Sequence, residues 1–202
     1  MKVIIKRLSD KPLIFKGGSA LMFFYGLDRF SEDLDFDASY SVNTESLEKI
    51  LRFLGNVTVK KDTDTTKRFM INLDNETNLK IEISLRGYEP IAETIKITNN
   101  LMVYNIDDIA IQKLEAFNNR IVARDLIVAR DLYDIGFILE RYGTILLSKT
   151  KLIFLKTFSS KEAIYELIPR YYNAFESDEY LLDSDLLKSV ERIMKFYESA
   201  MT

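Results

Sequence analysis

The sequence predicts a mixed α/β (α+β) fold: a mixed sheet with flanking helices over residues 1–100, followed by a helical lobe over 101–202. Three observations carry this. Period-two alternation, the mark of a strand with one buried face, recurs through the first half in "EDLDFDAS", "VTVKK", "KRFMINLD" and "LKIEISLR". From Asn105 onward, apolar residues recur at helical spacing in five successive stretches separated by polar connections. The composition, 47% hydrophobic and 29% charged over 202 residues, is that of an ordinary globular chain long enough to build a real core.

Taken in order, "PLIFKGGSALMFFYGL" reads as a short strand, a glycine turn at Gly17 and Gly18, and a helix capped at Ser19 or its neighbour. "EDLDFDAS" is the next strand. "TESLEKILRFLG" is an amphipathic helix with Thr44 as N-cap, Leu47, Ile50, Leu51 and Leu54 on its apolar side, and Gly55 ending it. Three further strands follow, the last two joined across "DNETN" as a hairpin. The boundary falls in "KITNN". Beyond it, "DDIAIQKLEAFNNR", "IVARDLIVARDLYDIGFILERYG", "TILLSKTKLIFLKTF", "SKEAIYELIPRYYNAF" and "DSDLLKSVERIMKFYESA" are expected as helices. One repeat stands out: "VARDLI" at 122–127 runs directly into "VARDLY" at 128–133. Within one continuous helix, six residues rotate a side chain by about 600°, so Asp125 and Asp131 would not share a face.

The chain has no cysteine and no histidine. Disulfides, thiolate zinc sites, cysteine nucleophiles and the usual imidazole base are thereby excluded, and a hard metal held by oxygen ligands is the one to expect. The first residues are too charged, and their apolar run too short, for a signal peptide or membrane span, so a cytoplasmic protein without membrane contact is expected. With net charge −3 and pI near 5.3, the whole molecule is not a generic binder of nucleic acid backbone.

The chemistry centres on "FSEDLDFD". On a strand, Leu34 and Phe36 face one side while Asp33, Asp35 and Asp37 face the other at about 7 Å spacing. Three such carboxylates repel, with only Arg29 nearby in sequence to compensate. An acidic strand face in solvent and a face that holds a divalent cation both fit the pattern. A calcium loop does not, since counting from Asp33 the sixth and twelfth positions are Ala38 and Thr44. "NLKIEISLR" repeats the design, with Lys80, Glu82 and Ser84 opposite an apolar face. A salt-bridged surface edge would look the same. If the two strands are neighbours, Glu82 joins Asp33 and Asp35, and three carboxylates can hold two Mg²⁺ ions, with Mn²⁺ as a substitute. Gly17, Gly18 and Ser19 form either a plain turn or a phosphate cradle of backbone N–H groups and a hydroxyl at a helix N-terminus. The spacing of a Walker loop is missing.

Taken together, "FKGGSALMFFYGLDRFSEDLDFD" resembles the first motif of AbiEii-type nucleotidyltransferase toxins of abortive-infection and toxin–antitoxin pairs. "KIE" at 80–82 is similar to that family's second motif, "NIDDIAIQKLEAFNNR" to its third and "RDLYD" at 130–134 to its fourth, so the resemblance spans roughly residues 12–140 in the right order. On its own, Lys113 reads as a solvated lysine on the polar side of a helix. The resemblance implies a nucleotidyltransferase-like fold with its site between the lobes and Mg²⁺-dependent transfer of a nucleoside monophosphate from an NTP to an acceptor, tRNA among the candidates. A cognate antitoxin would be its partner. By the same resemblance, Asp33, Asp35 and Glu82 hold metal, Glu82 also as a base; Gly17, Gly18, Ser19, Lys80 and Lys113 bind nucleotide; and Asp131 positions Lys113 or the acceptor, with Asp125 as the fallback. Two rival functions share these residues: a non-catalytic module that binds nucleotide or a partner, and a metal-dependent phosphohydrolase. Residues 145–202 carry no matching motif.

Overall fold

The computed structural model describes residues 1–202 except 39, 41, 74–76, 98–100, 125, 126 and 202; for 96 and 122–124 it describes the backbone alone. The chain divides into two compact units, Met1–Asn105 and Ile106–Thr202.

The first unit holds α1 (Lys2–Leu8), β1 (Leu13–Lys16), α2 (Gly17–Phe24), β2 (Leu34–Ala38), α3 (Thr44–Leu51), β3 (Asn56–Asp62), β4 (Thr66–Asn72), β5 (Asn78–Ser84), β6 (Ile95–Lys96) and β7 (Met102–Val103). Among the described residues, seven strands form one sheet in the order β3-β4-β5-β2-β1-β7-β6. The β2–β5 and β1–β7 pairs are parallel and the others antiparallel, so the sheet is mixed, as expected. Its apolar face is continuous: Phe15, Phe36, Phe69, Ile81 and Ile83 are fully buried, and the Phe15 and Phe36 rings lie 4.9 Å apart across β1 and β2. Full burial of each such side chain stabilises the fold by about 1.5–3 kcal/mol.

Two helix starts differ from the sequence expectation. The N-cap of α3 is Asn43, whose side chain accepts from Ser46 N at 2.8 Å, and Thr44 is the first helical residue. Asparagine is at least as good a cap as threonine, and it stands one residue earlier. The N-cap of α2 is Lys16, so Gly17 and Gly18 open the helix and Ser19 is its third residue. Three elements carry no expectation from the sequence at all: α1, which buries Ile4, Ile5 and Leu8, and the two-residue strands β6 and β7.

The second unit holds α4 (Ile106–Arg124), α5 (Ala129–Tyr142), α6 (Ser148–Thr157), α7 (Lys161–Tyr165), α8 (Leu167–Glu176) and α9 (Asp183–Met201). Its axis is α5, buried from Asp131 through Leu139 and packed by α4, α8 and α9. Two glycines bring α9 close: a Cβ on Gly136 would lie 3.1 Å from the Ser189 carbonyl oxygen, and one on Gly143 would lie 2.9 Å from the Phe196 ring. Gly136 on α5 and Gly143 at its C-cap stand two turns apart, as Ser189 and Phe196 do on α9, so the close approach continues along one seam. The "VARDLIVARDLY" repeat is not one helix: α4 ends at Arg124 and α5 begins after Val128, whose backbone is extended at φ −127° and ψ 110°. The adjacent β-branched residues Ile127 and Val128 favour that extended conformation. The rotation expected between the two copies therefore does not apply, and Asp125 lies outside the described residues. Among the described residues, no helix is long and apolar enough to cross a membrane.

Candidate active site

In the first unit, strand register brings the acidic residues together. β2 and β5 run parallel with Asp35 opposite Glu82, and β1 runs antiparallel to β2 with Lys16 opposite Asp35. Leu34 and Phe36 anchor β2 in the core, which turns Asp35 toward the same open face as Glu82. The juxtaposition anticipated for these two strands is thus present.

The glycine turn closes on the same place. Gly17 has φ +75°, a left-handed conformation that glycine adopts at little cost, and a Cβ there would lie 2.7 Å from Asp35 Oδ2. A Cβ on Gly18 would lie 2.8 Å from Ser31 Oγ and 3.0 Å from Arg29 Nη2. Ser19 is fully buried, and its hydroxyl donates to the Asp33 carbonyl oxygen, with Ser31 Oγ at 3.1 Å. Residues 17–19 and 29–35, separated by about a dozen positions in sequence, form one packed cluster, and the serine hydroxyl is spent on holding the acidic segment.

The charge balance differs from the sequence reading. Arg29 is not the sole compensation for the aspartates: Lys80 pairs with Asp33, and Lys16 Nζ lies 2.5 Å from Asp37 Oδ1. Asp37 is itself buried, and its second oxygen, Oδ2, has no hydrogen-bond partner. Arg68, opposite Glu82 on β4, holds that carboxylate at 2.7–2.8 Å. The sequence reading missed Arg68: a hairpin closed across "DNETN" sets Met70 opposite Glu82, whereas the observed register, with Asn72 opposite Asn78, is shifted by two residues and brings Arg68 there.

The oxygen-only donor set of Asp33, Asp35 and Glu82 suits Mg²⁺, and the missing side chain of Gly17 keeps space against Asp35 Oδ2. As the side chains stand, no three carboxylates among the described residues gather into a cluster that could hold a metal ion. Lys80 on Asp33 and Arg68 on Glu82 take up those two carboxylates.

The second unit holds the other predicted residues. Lys113 on α4 is not a solvated surface lysine: its side chain is 14% exposed, and Nζ lies 2.7 Å from Asp134 and 4.0 Å from Asp131 on α5. Asp131 pairs with Arg120. Asp134, fully buried, is the closer partner of Lys113 and was not among the predicted site residues; its i+3 spacing from Asp131 on one helical face was the available signal. Tyr171 lies buried in the same region, stacked on Phe117 at 6.0 Å. Burial first, and the Asp131 charge second, push its phenol well above the ordinary tyrosine range.

Residues 2–195 match a family model described as Nucleotidyl transferase AbiEii toxin, Type IV TA system. Among solved structures, JHP933 from Helicobacter pylori is 27% identical with a TM-score of 0.78, all of this chain covering 90% of that one. An H. pylori protein described as a candidate nucleotidyltransferase is 26% identical with a TM-score of 0.76, all of this chain covering 93% of it. No curated protein matches the chain. A motif-bearing sheet, a helical unit and a family match over nearly the whole length agree: the chain belongs to the AbiEii nucleotidyl transferase toxin family of type IV toxin–antitoxin systems.

Proposed function

We propose that this protein is a Mg²⁺-dependent nucleotidyltransferase that moves a nucleoside monophosphate from an NTP to an acceptor hydroxyl, tRNA being the acceptor class considered first. It would act inside the cell, under the control of a cognate antitoxin. The observation that carries the reading is the register of Asp35 against Glu82 beside the Gly17–Gly18 turn, which sets paired carboxylates next to the N-terminus of a helix.

Asp33, Asp35 and Glu82 are the residues that would hold the metal, which when bound supplies Lewis-acid stabilisation of the attacking and leaving oxygens. The backbone N–H groups of Gly17 and Gly18 lack helical partners and offer a phosphate cradle without side chains in the way. Ser19 contributes by fixing residues 31–33 through its buried hydroxyl. Lys80 would be a cation available to a phosphate, since its pairing with Asp33 is more than a third exposed and weak. Lys113 would supply a second point charge for the triphosphate, its amine held by Asp134, while Asp131 is neutralised by Arg120. Glu82, steadied by Arg68, would serve as the base for the acceptor hydroxyl. Rate enhancement would come from positioning and electrostatics.

One observation favours a second reading. Asp33 and Glu82 are each already held by a cation, as they would be in a module that binds a nucleotide or a protein without turnover. The two readings separate in one assay: each of four α-labelled NTPs is incubated with Mg²⁺, the protein, and either total RNA or total protein. Label entering one acceptor fraction establishes transfer and names donor and acceptor class. Mg-NTP binding with no label transferred and no pyrophosphate released favours the binding module.

A further inference from the structure

In the second unit, a cavity of about 710 Å³ lies among α5, α6 and α9, and it shares no residue with the Lys113–Asp131–Asp134 cluster. Its wall carries Lys151, Lys188, Arg192 and Lys195 against Glu140 and Glu191, an excess of two positive charges in a chain whose net charge is −3. Leu139 and Phe196 supply an apolar side, and Gly143 lets the Phe196 ring lie against α5, where any side chain would collide with it.

Arg192 is the residue that needs explaining. Its side chain is only 8% exposed, with the guanidinium 5.6 Å from the Tyr133 ring centroid. Nε lies 2.7 Å from Glu140 Oε2 without a directed hydrogen bond, and Nη1, equally buried, has no hydrogen-bond partner. Buried guanidinium N–H groups are normally satisfied, because stripping their water without replacing it is costly. An anion entering the cavity would draw on a donor fork that the protein itself leaves underused.

We propose that this cavity is a binding site for a small phosphate monoester with an apolar or aromatic body, the phosphate engaging Arg192 and its neighbouring lysines and the body lying on Phe196 and Leu139. The site is independent of the reaction proposed above. Nucleotides and simple aryl phosphates share this chemistry, so the test separates them.

Pyridoxal 5′-phosphate is both such a ligand and a lysine reagent: its aldehyde condenses with an amine, losing water, and borohydride reduces the imine to a stable secondary amine. The intact protein is labelled, digested and mapped by mass spectrometry, with Lys149 and Lys156 on the exposed side of α6 as internal references. The expected result is label on Lys188 or Lys195 at about tenfold the reference level, the worth of one added charged contact. Phenyl phosphate should suppress that excess, and AMP should do so at lower concentration if the aromatic body is a base. Inorganic phosphate should suppress it weakly. Arg192→Met should abolish the excess; should that variant fail to fold, Lys151→Glu is expected to do the same from the rim. Label spread over all exposed lysines alike, or an excess that phenyl phosphate leaves unchanged, would overturn the proposal.

Discussion

The two clusters of charge in this molecule are built in opposite ways. On the β2–β5 face, Asp33–Lys80 and Arg68–Glu82 are pairs in which every side chain is between 31% and 40% exposed, held by strand register and screened by water. Between α4 and α5, Asp134 is fully buried and Lys113 is 14% exposed, so each charge depends on the other. The sheet pairs can be exchanged for other partners at small cost; separating the helical pair takes a buried carboxylate away from its ammonium and costs far more. The exchangeable face is where a metal and a phosphate would enter, and the buried pair fixes a lysine in place.

This contrast can be broken by substitution. The largest expected effect is on activity: Asp35→Asn is isosteric on a half-buried strand face and should remove nucleotide transfer while leaving the thermal midpoint within a few degrees of wild type. Next comes Lys113→Met, which takes the ammonium away from the buried Asp134 carboxylate and should cost about 3–5 kcal/mol in denaturant unfolding. A loss below about 1 kcal/mol there would show that the helical pair is no more coupled than a surface one. Gly17→Ala forces a side chain into left-handed backbone against Asp35, with an expected loss of roughly 1–3 kcal/mol. Asn43→Ala removes the α3 cap and should cost about 1 kcal/mol. Smallest of all, Arg68→Met should change stability by less than about 1 kcal/mol, since its pair with Glu82 is substantially exposed, and so sharpens the comparison with Lys113.

Much of the sheet was legible because β2 and β5 alternate cleanly, and a strand with one buried face leaves its other residues only one place to go. That is how Asp35 and Glu82 could be expected on one open face, where the register sets them opposite each other. Arg68 was not placed, because the loop read as "DNETN" puts Met70 opposite Glu82, two residues out of the observed register. Other features left weaker traces. Helix α1 is seven residues long with three charged side chains, too short for its apolar spacing to register as periodic. Strands β6 and β7 have two residues each and exist through pairing to one another and to β1, a tertiary fact that no local pattern records. The break before α5 was hidden by the repeat itself, since both copies have helical composition. Lys113 looked solvated because its buried partner, Asp134, lies on a different helix, and only folding shows that the lysine points inward.

The central claim is that the Asp35 face is where transfer occurs. Its most direct test is label transfer from an α-labelled NTP by wild type and Asp35→Asn side by side, with circular dichroism and thermal unfolding on the same samples. Transfer lost by about a thousandfold or more in a variant that melts with the wild type is the predicted result. Undiminished transfer by a folded Asp35→Asn would contradict the account.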